Sequence, residues 1–78
     1  MVVKVFLVVN TEPGRLDEIY NTLKNFDEVV FSCPIESGPF DIVAMVEVDT
    51  LDGYRVLIEK VAAIPHTVDF SSFINTGT

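Results

Sequence analysis

Two apolar runs separated by a turn constrain this chain more than any other feature of its sequence. The runs cover Val29 to Ile35 and Ile42 to Val48, and the segment between them contains Ser37-Gly38-Pro39-Phe40-Asp41. Glycine and proline favour a chain reversal there, and a connection this short joins neighbouring strands in antiparallel order. The sequence therefore predicts a β-hairpin that exposes a glycine backbone and one carboxylate at its tip.

Two amphipathic helices are predicted, one on each side of this hairpin. The first enters through Thr11-Glu12-Pro13-Gly14, where a cap residue and a proline suit a helix start, and it ends near Asn25. The second is capped by Asp49-Thr50 and stopped by Pro65. Apolar residues recur at helical spacing, namely Leu16, Ile19, Tyr20 and Leu23 in the first helix and Tyr54, Leu57, Ile58 and Val61 in the second. Each helix therefore has one face suited to packing on a sheet.

The outer segments of the chain, Val2 to Val9 and Thr67 to Ile74, predict the first and last strands. The order β-α-β-β-α-β matches an α+β, ferredoxin-like sandwich, in which a four-stranded antiparallel sheet carries both helices on one face. Right-handed crossovers place the first and third strands in the middle of that sheet. With 78 residues, we expect a single domain covering residues 1–78.

The sheet face opposite the helices is also predicted to be apolar. Alternate positions of the third strand form two sets, Ile42, Ala44, Val46 and Val48 on one side and Val43, Met45 and Glu47 on the other. Hydrophobic residues make up 49% of the chain, more than a small two-layer domain easily hides. We therefore expect an obligate dimer whose sheets pack face to face.

Charge and hydropathy exclude several classes of partner. A net charge of -7 and scattered basic residues disfavour direct nucleic-acid binding. The third strand also lacks the stacking aromatics of an RNA-recognition sheet. No segment approaches the roughly 20 apolar residues of a membrane span. We expect a cytoplasmic protein that binds neither nucleic acid nor a membrane.

The single cysteine and the single histidine predict neither a cofactor nor catalysis. Cys33 lies inside an apolar run and His66 follows a proline, so the two stand in separate elements. They form no metal-ligand set and no nucleophile–base pair. We expect Cys33 to be a small buried hydrophobic residue and His66 to occupy a surface turn.

The hairpin tip carries groups that suit a small zwitterion. Backbone N–H groups of Ser37 and Gly38 can bind a carboxylate, because glycine lets a ligand approach the main chain. The carboxylate of Asp41 can accept a charge-assisted hydrogen bond from an ammonium group. An aspartate after a turn also commonly accepts from local backbone amides, so both roles stay open for Asp41.

Several motifs in register resemble the ligand-binding and oligomerisation domain of the Lrp/AsnC (feast/famine) transcription regulators. They are the order of elements, Glu12-Pro13-Gly14, Gly38-x-Phe40-Asp41-Ile42-Val43 and Ile64-Pro65. The resemblance covers nearly the whole chain. It implies dimers formed through the sheets, further assembly into rings such as octamers, and amino-acid binding between neighbouring dimers. Full-length members carry an N-terminal helix-turn-helix domain, whereas the first strand here begins at Val2. The chain is therefore interpreted as a stand-alone domain that acts on transcription through partner regulators.

The same resemblance implies a ligand site shared between the hairpin of one dimer and the last strand of another. Its predicted members are Ser37, Gly38, Phe40, Asp41, Ser71 and Ser72. The family tends to place threonines where this chain has Phe70 and Ser72, so one expected hydroxyl is kept and one is absent. It also usually has a glycine in place of His66.

Two alternatives share the predicted order of elements. ACT domains bind amino acids, pair their sheets side by side, and often carry Asp-x-Pro-Gly before the first helix, which is similar to Glu12-Pro13-Gly14-Arg15-Leu16. Small dimeric α+β-barrel enzymes, such as monooxygenases or lactone isomerases, need a polar constellation in their cavity. The predicted sheet faces offer little beyond Lys4 and Glu47. The Gly38-x-Phe40-Asp41 hairpin favours the Lrp/AsnC interpretation.

Overall fold

The computed structural model describes residues 2–75, which form six elements. These are β1 (Val3–Thr11), α1 (Leu16–Lys24), β2 (Val29–Pro34), β3 (Ile42–Val48), α2 (Leu51–Ala62) and β4 (Thr67–Asn75). The strands form one antiparallel sheet in the order β2-β3-β1-β4. The predicted α+β, ferredoxin-like fold with the first and third strands in the centre is confirmed.

The core lies between one face of the sheet and the two helices. β3 alternates buried and half-buried residues along its whole length, because successive side chains of a strand point to opposite faces. The fully buried side chains are Val5, Leu7, Val9, Ile42, Ala44 and Val46 from the central strands, and Ile19, Leu23, Leu57 and Val61 from the helices. The helices therefore cover one face of the sheet and leave the other face open.

The entrance to α1 differs from the prediction. Thr11 is the last residue of β1 and does not cap the helix, which begins at Leu16 without a side-chain cap. The Arg15 N–H donates to the Glu12 carbonyl at 3.1 Å, and Gly14 has a φ of 81°. The four residues from Glu12 to Arg15 thus form a type II turn, with proline and glycine at the central positions that this turn favours. The proline-glycine pair ends the strand and precedes the helix.

The start of α2 agrees with the prediction. The Thr50 hydroxyl accepts a hydrogen bond from the Gly53 N–H at 3.0 Å, which satisfies one free amide of the first helical turn. The helix ends at Ala62, shortly before Pro65. Within residues 2–75, neither helix is long and apolar enough to cross a membrane.

One ion pair joins α2 to the residue that precedes β2. Lys60 Nζ lies 2.8 Å and 3.1 Å from the two carboxylate oxygens of Glu28. The same Nζ lies 4.4 Å from the centre of the Phe26 ring, so the ring also stabilises the cation. The hydrogen bond from Lys60 lowers the pKa of Glu28, and burial opposes this effect. In its charged form, the pair between Lys60 and Glu28 therefore holds α2 against the edge of the sheet.

We expect Lys60→Met to lower the free energy of unfolding by about 1 kcal/mol at neutral pH, because the pair is partly buried and includes a ring contact. The pKa of Glu28 is lower in the folded chain than in the unfolded chain. Its contribution is therefore present above the unfolded pKa and is lost as the pH falls through the folded pKa. Urea unfolding at neutral and at strongly acidic pH should show the difference between wild type and variant shrinking in acid.

Arg55→Met is the matched control for this prediction. It removes an exposed pair with Asp52 in the same helix, which should contribute about 0.5 kcal/mol or less. A Lys60→Met effect as small as the control, or one that is the same at both pH values, would contradict the assigned role of Lys60.

Candidate functional site

Asp41 lies just before β3, and its backbone is fixed on two sides. Its N–H donates to the Val9 carbonyl of β1 at 3.0 Å. Its carbonyl accepts from the Ile35 N–H at 2.8 Å, which closes the connection between β2 and β3. The position of Asp41 is therefore set by the sheet and not by the loop alone.

The carboxylate of Asp41 accepts hydrogen bonds from the end of β1. Oδ2 lies 2.8 Å from the Thr11 backbone nitrogen and 3.4 Å from Thr11 Oγ1. The ladder between β1 and β4 shifts register between Asn10 and Thr11, so the carboxylate serves an amide beside an irregularity of the sheet. Asp41 thus accepts from a backbone amide, and its partner is 30 residues away in sequence instead of in the adjacent turn.

The hairpin tip presents further polar groups next to this carboxylate. Within residues 2–75, Asp41 Oδ1 receives no hydrogen bond, so one oxygen of the carboxylate is available. Ser37 and Gly38 are exposed, and Phe40 is half-buried. Gly38 has a φ of 140°, a backbone conformation that strains other residues. The tip therefore combines an anionic acceptor with accessible main chain on one short segment.

The two serines of β4 lie on opposite faces of the sheet. Ser71 pairs with Val8 on the open face and is exposed. Ser72 pairs with Leu7 on the helix side, and its Oγ lies 2.6 Å from Tyr54 Oη of α2. Because β1 separates β4 from β3, neither serine lies next to Asp41 in the same chain. One chain thus brings Ser37, Gly38, Phe40 and Asp41 together but does not add the serines.

Two positions that depart from the Lrp/AsnC pattern have structural roles here. Phe70 pairs with Val9 and packs against the core. His66 occupies the turn before β4 with a φ of 70°, which explains why glycine suits this position. Its carbonyl accepts from the Glu12 N–H at 2.9 Å, and its Nδ1 lies 3.4 Å from Glu12 Oε1. The predicted turn position of His66 is confirmed.

The open face of the sheet carries an apolar band that crosses all four strands. Its two rows, in strand order, are Cys33, Val43, Val8 and Ser71, and then Phe31, Met45, Phe6 and Phe73. Phe6 is 40%, Phe31 57% and Phe73 55% exposed. Cys33 is half-buried on this face, so it lies outside the core. The predicted second apolar face is therefore present, and aromatic side chains dominate one of its rows.

Two concavities of the chain lie away from the hairpin tip. One, of about 530 Å³, is lined by residues that include Glu28, Glu47 and Thr50. The other, of about 270 Å³, is lined by residues that include Leu51 and Ile74. Neither contains any of the six predicted site residues. Among the described residues, no cluster of His, Cys, Asp and Glu is placed to hold a metal ion. Neither concavity therefore provides a wall for a ligand at the hairpin tip.

The strand order and the Asp41 hairpin limit the chain to the small ferredoxin-like domains considered above. Residues 4–78 match the family model of the Lrp/AsnC ligand binding domain. The chain therefore belongs to the Lrp/AsnC ligand-binding domain family, which consists of effector-binding domains and not of enzymes. This membership favours the Lrp/AsnC interpretation over the ACT and barrel-enzyme alternatives. No curated protein sequence showed significant similarity to the chain.

Solved structures agree with this assignment. FFRP-DM1 is 28% identical with a TM-score of 0.85, and the match covers 94% of this chain and 97% of that one. A hypothetical protein from Pyrococcus horikoshii is 27% identical with a TM-score of 0.83, covering 97% and 92% of the two chains. A feast or famine regulatory protein from M. tuberculosis, solved in complex with L-methionine, shares the fold at 18% identity and a TM-score of 0.80. That match covers 97% of this chain but only 51% of the regulator, so the chain spans about half its length.

We expect Asp41→Ala to lower the free energy of unfolding by about 2 kcal/mol, because it removes a charge-assisted acceptor from the Thr11 amide. Asp41→Asn keeps a side-chain oxygen and should lower it by about 1 kcal/mol. Hydrogen exchange followed by NMR should show faster exchange of the Thr11 amide in Asp41→Ala. Asp69→Ala, which removes only an exposed hydrogen bond from Asn10, is the control. Unchanged protection of Thr11 in Asp41→Ala would show that the carboxylate does not hold β1.

Proposed function

We propose that this chain binds an amino acid at the hairpin between β2 and β3 and self-associates through the open face of its sheet. The main observation behind the proposal is that the two oxygens of the Asp41 carboxylate differ in their hydrogen bonds. Oδ2 accepts from Thr11, whereas Oδ1 has no partner among residues 2–75. The complex of the M. tuberculosis regulator with L-methionine supports an amino acid as the class of ligand.

The hairpin offers a complementary group for each charged end of an amino acid. Asp41 Oδ1 accepts a hydrogen bond from the ligand's ammonium group. The N–H groups of the exposed residues Ser37 and Gly38 donate to its carboxylate, and Phe40 provides an apolar surface beside them. Two backbone hydrogen bonds and the contact with Thr11 hold Asp41 in place before the ligand arrives. Binding therefore orders few new groups, which favours affinity.

The second half of the site comes from β4 of a neighbouring copy. Ser71 lies on the open face at the edge strand β4, so the face-to-face packing of two sheets would leave it accessible only at the rim of the packed face. Ser72 contributes only by sharing its hydroxyl with Tyr54, which already lies within hydrogen-bond distance. Of the two serines, Ser72 is the one that lies outside the packed face.

The apolar band supports self-association of the chain. Exposed apolar patches larger than a few hundred Å² are rare on monomeric proteins and mark interaction surfaces. Sheets that pack face to face bury such a band, and dimers that assemble further into a ring, such as an octamer, place hairpins against the last strands of their neighbours. Co-assembly with full-length Lrp/AsnC regulators then conveys the ligand signal to transcription in the cytoplasm. The net charge of -7 agrees with a protein partner in preference to DNA.

A thermal-shift screen with the twenty common amino acids at millimolar concentration tests the ligand. A ligand present at ~100 times its dissociation constant adds about 2.7 kcal/mol of stability. For an amino acid that shifts the transition, NMR should show the largest amide changes at Ser37 and Gly38. Asp41→Asn should remove the shift, whereas Asp49→Asn, an exposed carboxylate after the far end of β3, should keep it. A screen without any shift would overturn amino-acid binding.

Phe6→Glu tests self-association, because it places a charge in the centre of the apolar band. We expect light scattering to give at least twice the mass of one chain for the wild type at micromolar concentration, with a larger mass where dimers form a ring, and the mass of one chain for Phe6→Glu. Val56→Glu changes a residue that is 47% exposed on α2, outside the band, and should leave the wild-type mass unchanged. A wild type with the mass of a single chain would refute association through the open face.

A further inference from the structure

The hydroxyl groups of Tyr54 and Ser72 form a close pair between α2 and the helix side of β4. The two oxygens lie 2.6 Å apart in a partly buried position. We propose that this pair binds the carboxylate of the amino acid in the second half of the site, so that Tyr54 is a ligand-binding residue beside Ser72. This inference rests on the proposed amino-acid binding. It adds one residue to the site and names the ligand group that this residue recognises.

The hydroxyl pair can be approached from the edge of the sheet. β4 is an edge strand, so among residues 2–75 no further strand pairs with its outer side. Its helix-side residues lie opposite fully buried residues of β1 but are themselves only half-buried or exposed, namely Phe70, Ser72 and Ile74. The helices therefore leave this side of β4 partly uncovered, and packing on the open face of the sheet does not cover it either.

The two hydroxyls together have one more donor than they use on each other. Each hydroxyl group can donate a single hydrogen bond. In the pair, one hydroxyl donates and the other accepts, so the accepting hydroxyl keeps a proton that the pair itself does not use. This holds whichever of the two oxygens is the donor. The pair therefore suits a ligand group that accepts hydrogen bonds and donates none.

The carboxylate of an amino acid is such a group. An ionised carboxylate only accepts, and its two oxygens accept about four hydrogen bonds in total. The N–H groups of Ser37 and Gly38 supply two of these in the proposed site, and the hydroxyls of Tyr54 and Ser72 supply two more from the neighbouring copy. The neutral bond between the hydroxyls is then exchanged for two bonds to a charged acceptor, which are stronger.

Phe70 explains why the second hydroxyl has to come from a helix. It lies two residues before Ser72 on the same side of β4, where it pairs with Val9 and packs against the core. Its ring offers no hydrogen-bond donor. Between Phe70 and Ile74, Ser72 thus carries the only hydroxyl on this side of the strand, and Tyr54 of α2 brings a second one within hydrogen-bond distance of it.

A double-mutant cycle of Tyr54→Phe and Ser72→Ala tests this assignment. Calorimetric titration of the full chain with each of the twenty common amino acids measures the dissociation constants. Each single variant should raise the constant severalfold, because it loses one bond to the carboxylate but no longer has to break the bond between the hydroxyls. Removing the second hydroxyl should raise it by a further tenfold or more, since about one full bond to a charged group is then lost.

The same cycle separates contact with the ligand from a structural role of Tyr54. Either single variant already breaks the hydrogen bond between the two hydroxyls, so the second substitution should change the melting temperature of the ligand-free chain little. The dissociation constant should nevertheless rise again. Tyr20→Phe is the matched control, because it removes the hydroxyl of the other tyrosine in the chain, on α1, and should leave the dissociation constant unchanged.

The possible failures of this test are distinct. If Tyr54→Phe leaves the dissociation constant of the wild type unchanged, or has no effect once Ser72 is alanine, the assignment of Tyr54 is overturned while amino-acid binding stands. A wild type that binds none of the twenty amino acids overturns the proposed function itself.

Discussion

Two helices cover only one face of a sheet whose central strands are apolar on both faces. The central side chains of β1 and β3 that point to the helices are fully buried, but the other face of the sheet carries Phe6, Phe31 and Phe73, which are 40%, 57% and 55% exposed. A domain of 78 residues buries too small a fraction of its surface to leave such a face in water without loss. The open face is therefore the surface that the proposed self-association would cover, and the proposed site, which is divided between chains, would form only with that association.

In the proposed function, one residue of the hairpin, Asp41, serves both the stability of the sheet and the binding of the ligand. Asp41 closes the connection between β2 and β3 and holds the end of β1 through Thr11, so its carboxylate is already oriented before a ligand is present. The same geometry limits how Asp41 can be used as a test residue, because its removal disturbs the strand as well as the site. For this reason Asn, which keeps an acceptor oxygen, is more informative than Ala when binding is measured.

Much of the fold could be predicted from local patterns, and the departures have identifiable physical causes. The apolar run Ile42 to Val48 predicted the bounds of β3, and right-handed crossovers predicted the central strands of the sheet. Pro13-Gly14 was wrongly assigned to a helix start, because the same two residues suit a helix entrance and a type II turn, and only the φ of Gly14 distinguishes them.

The site was less predictable than the fold. The contact between Asp41 and Thr11 joins residues 30 apart, so no local pattern could reveal it. The opposite orientation of Ser71 and Ser72 was available from strand periodicity, because consecutive residues of a strand always point to opposite faces. The apolar second face could be predicted for the same reason. Its row of aromatic side chains could be recognised only from the pairing of all four strands.

The hydrogen bond between Ser72 and Tyr54 has a consequence for how a bound molecule would affect the rest of the domain. The two hydroxyl oxygens lie 2.6 Å apart, and their hydrogen bond connects the edge strand β4 to the helix α2 on the outer surface. A molecule that forms a hydrogen bond with the Ser72 hydroxyl must compete with Tyr54 for it. Binding of that molecule at β4 and packing of α2 on the sheet are therefore thermodynamically coupled. Binding at this edge of the sheet can therefore affect the outer surface of α2, which the bound molecule itself does not contact.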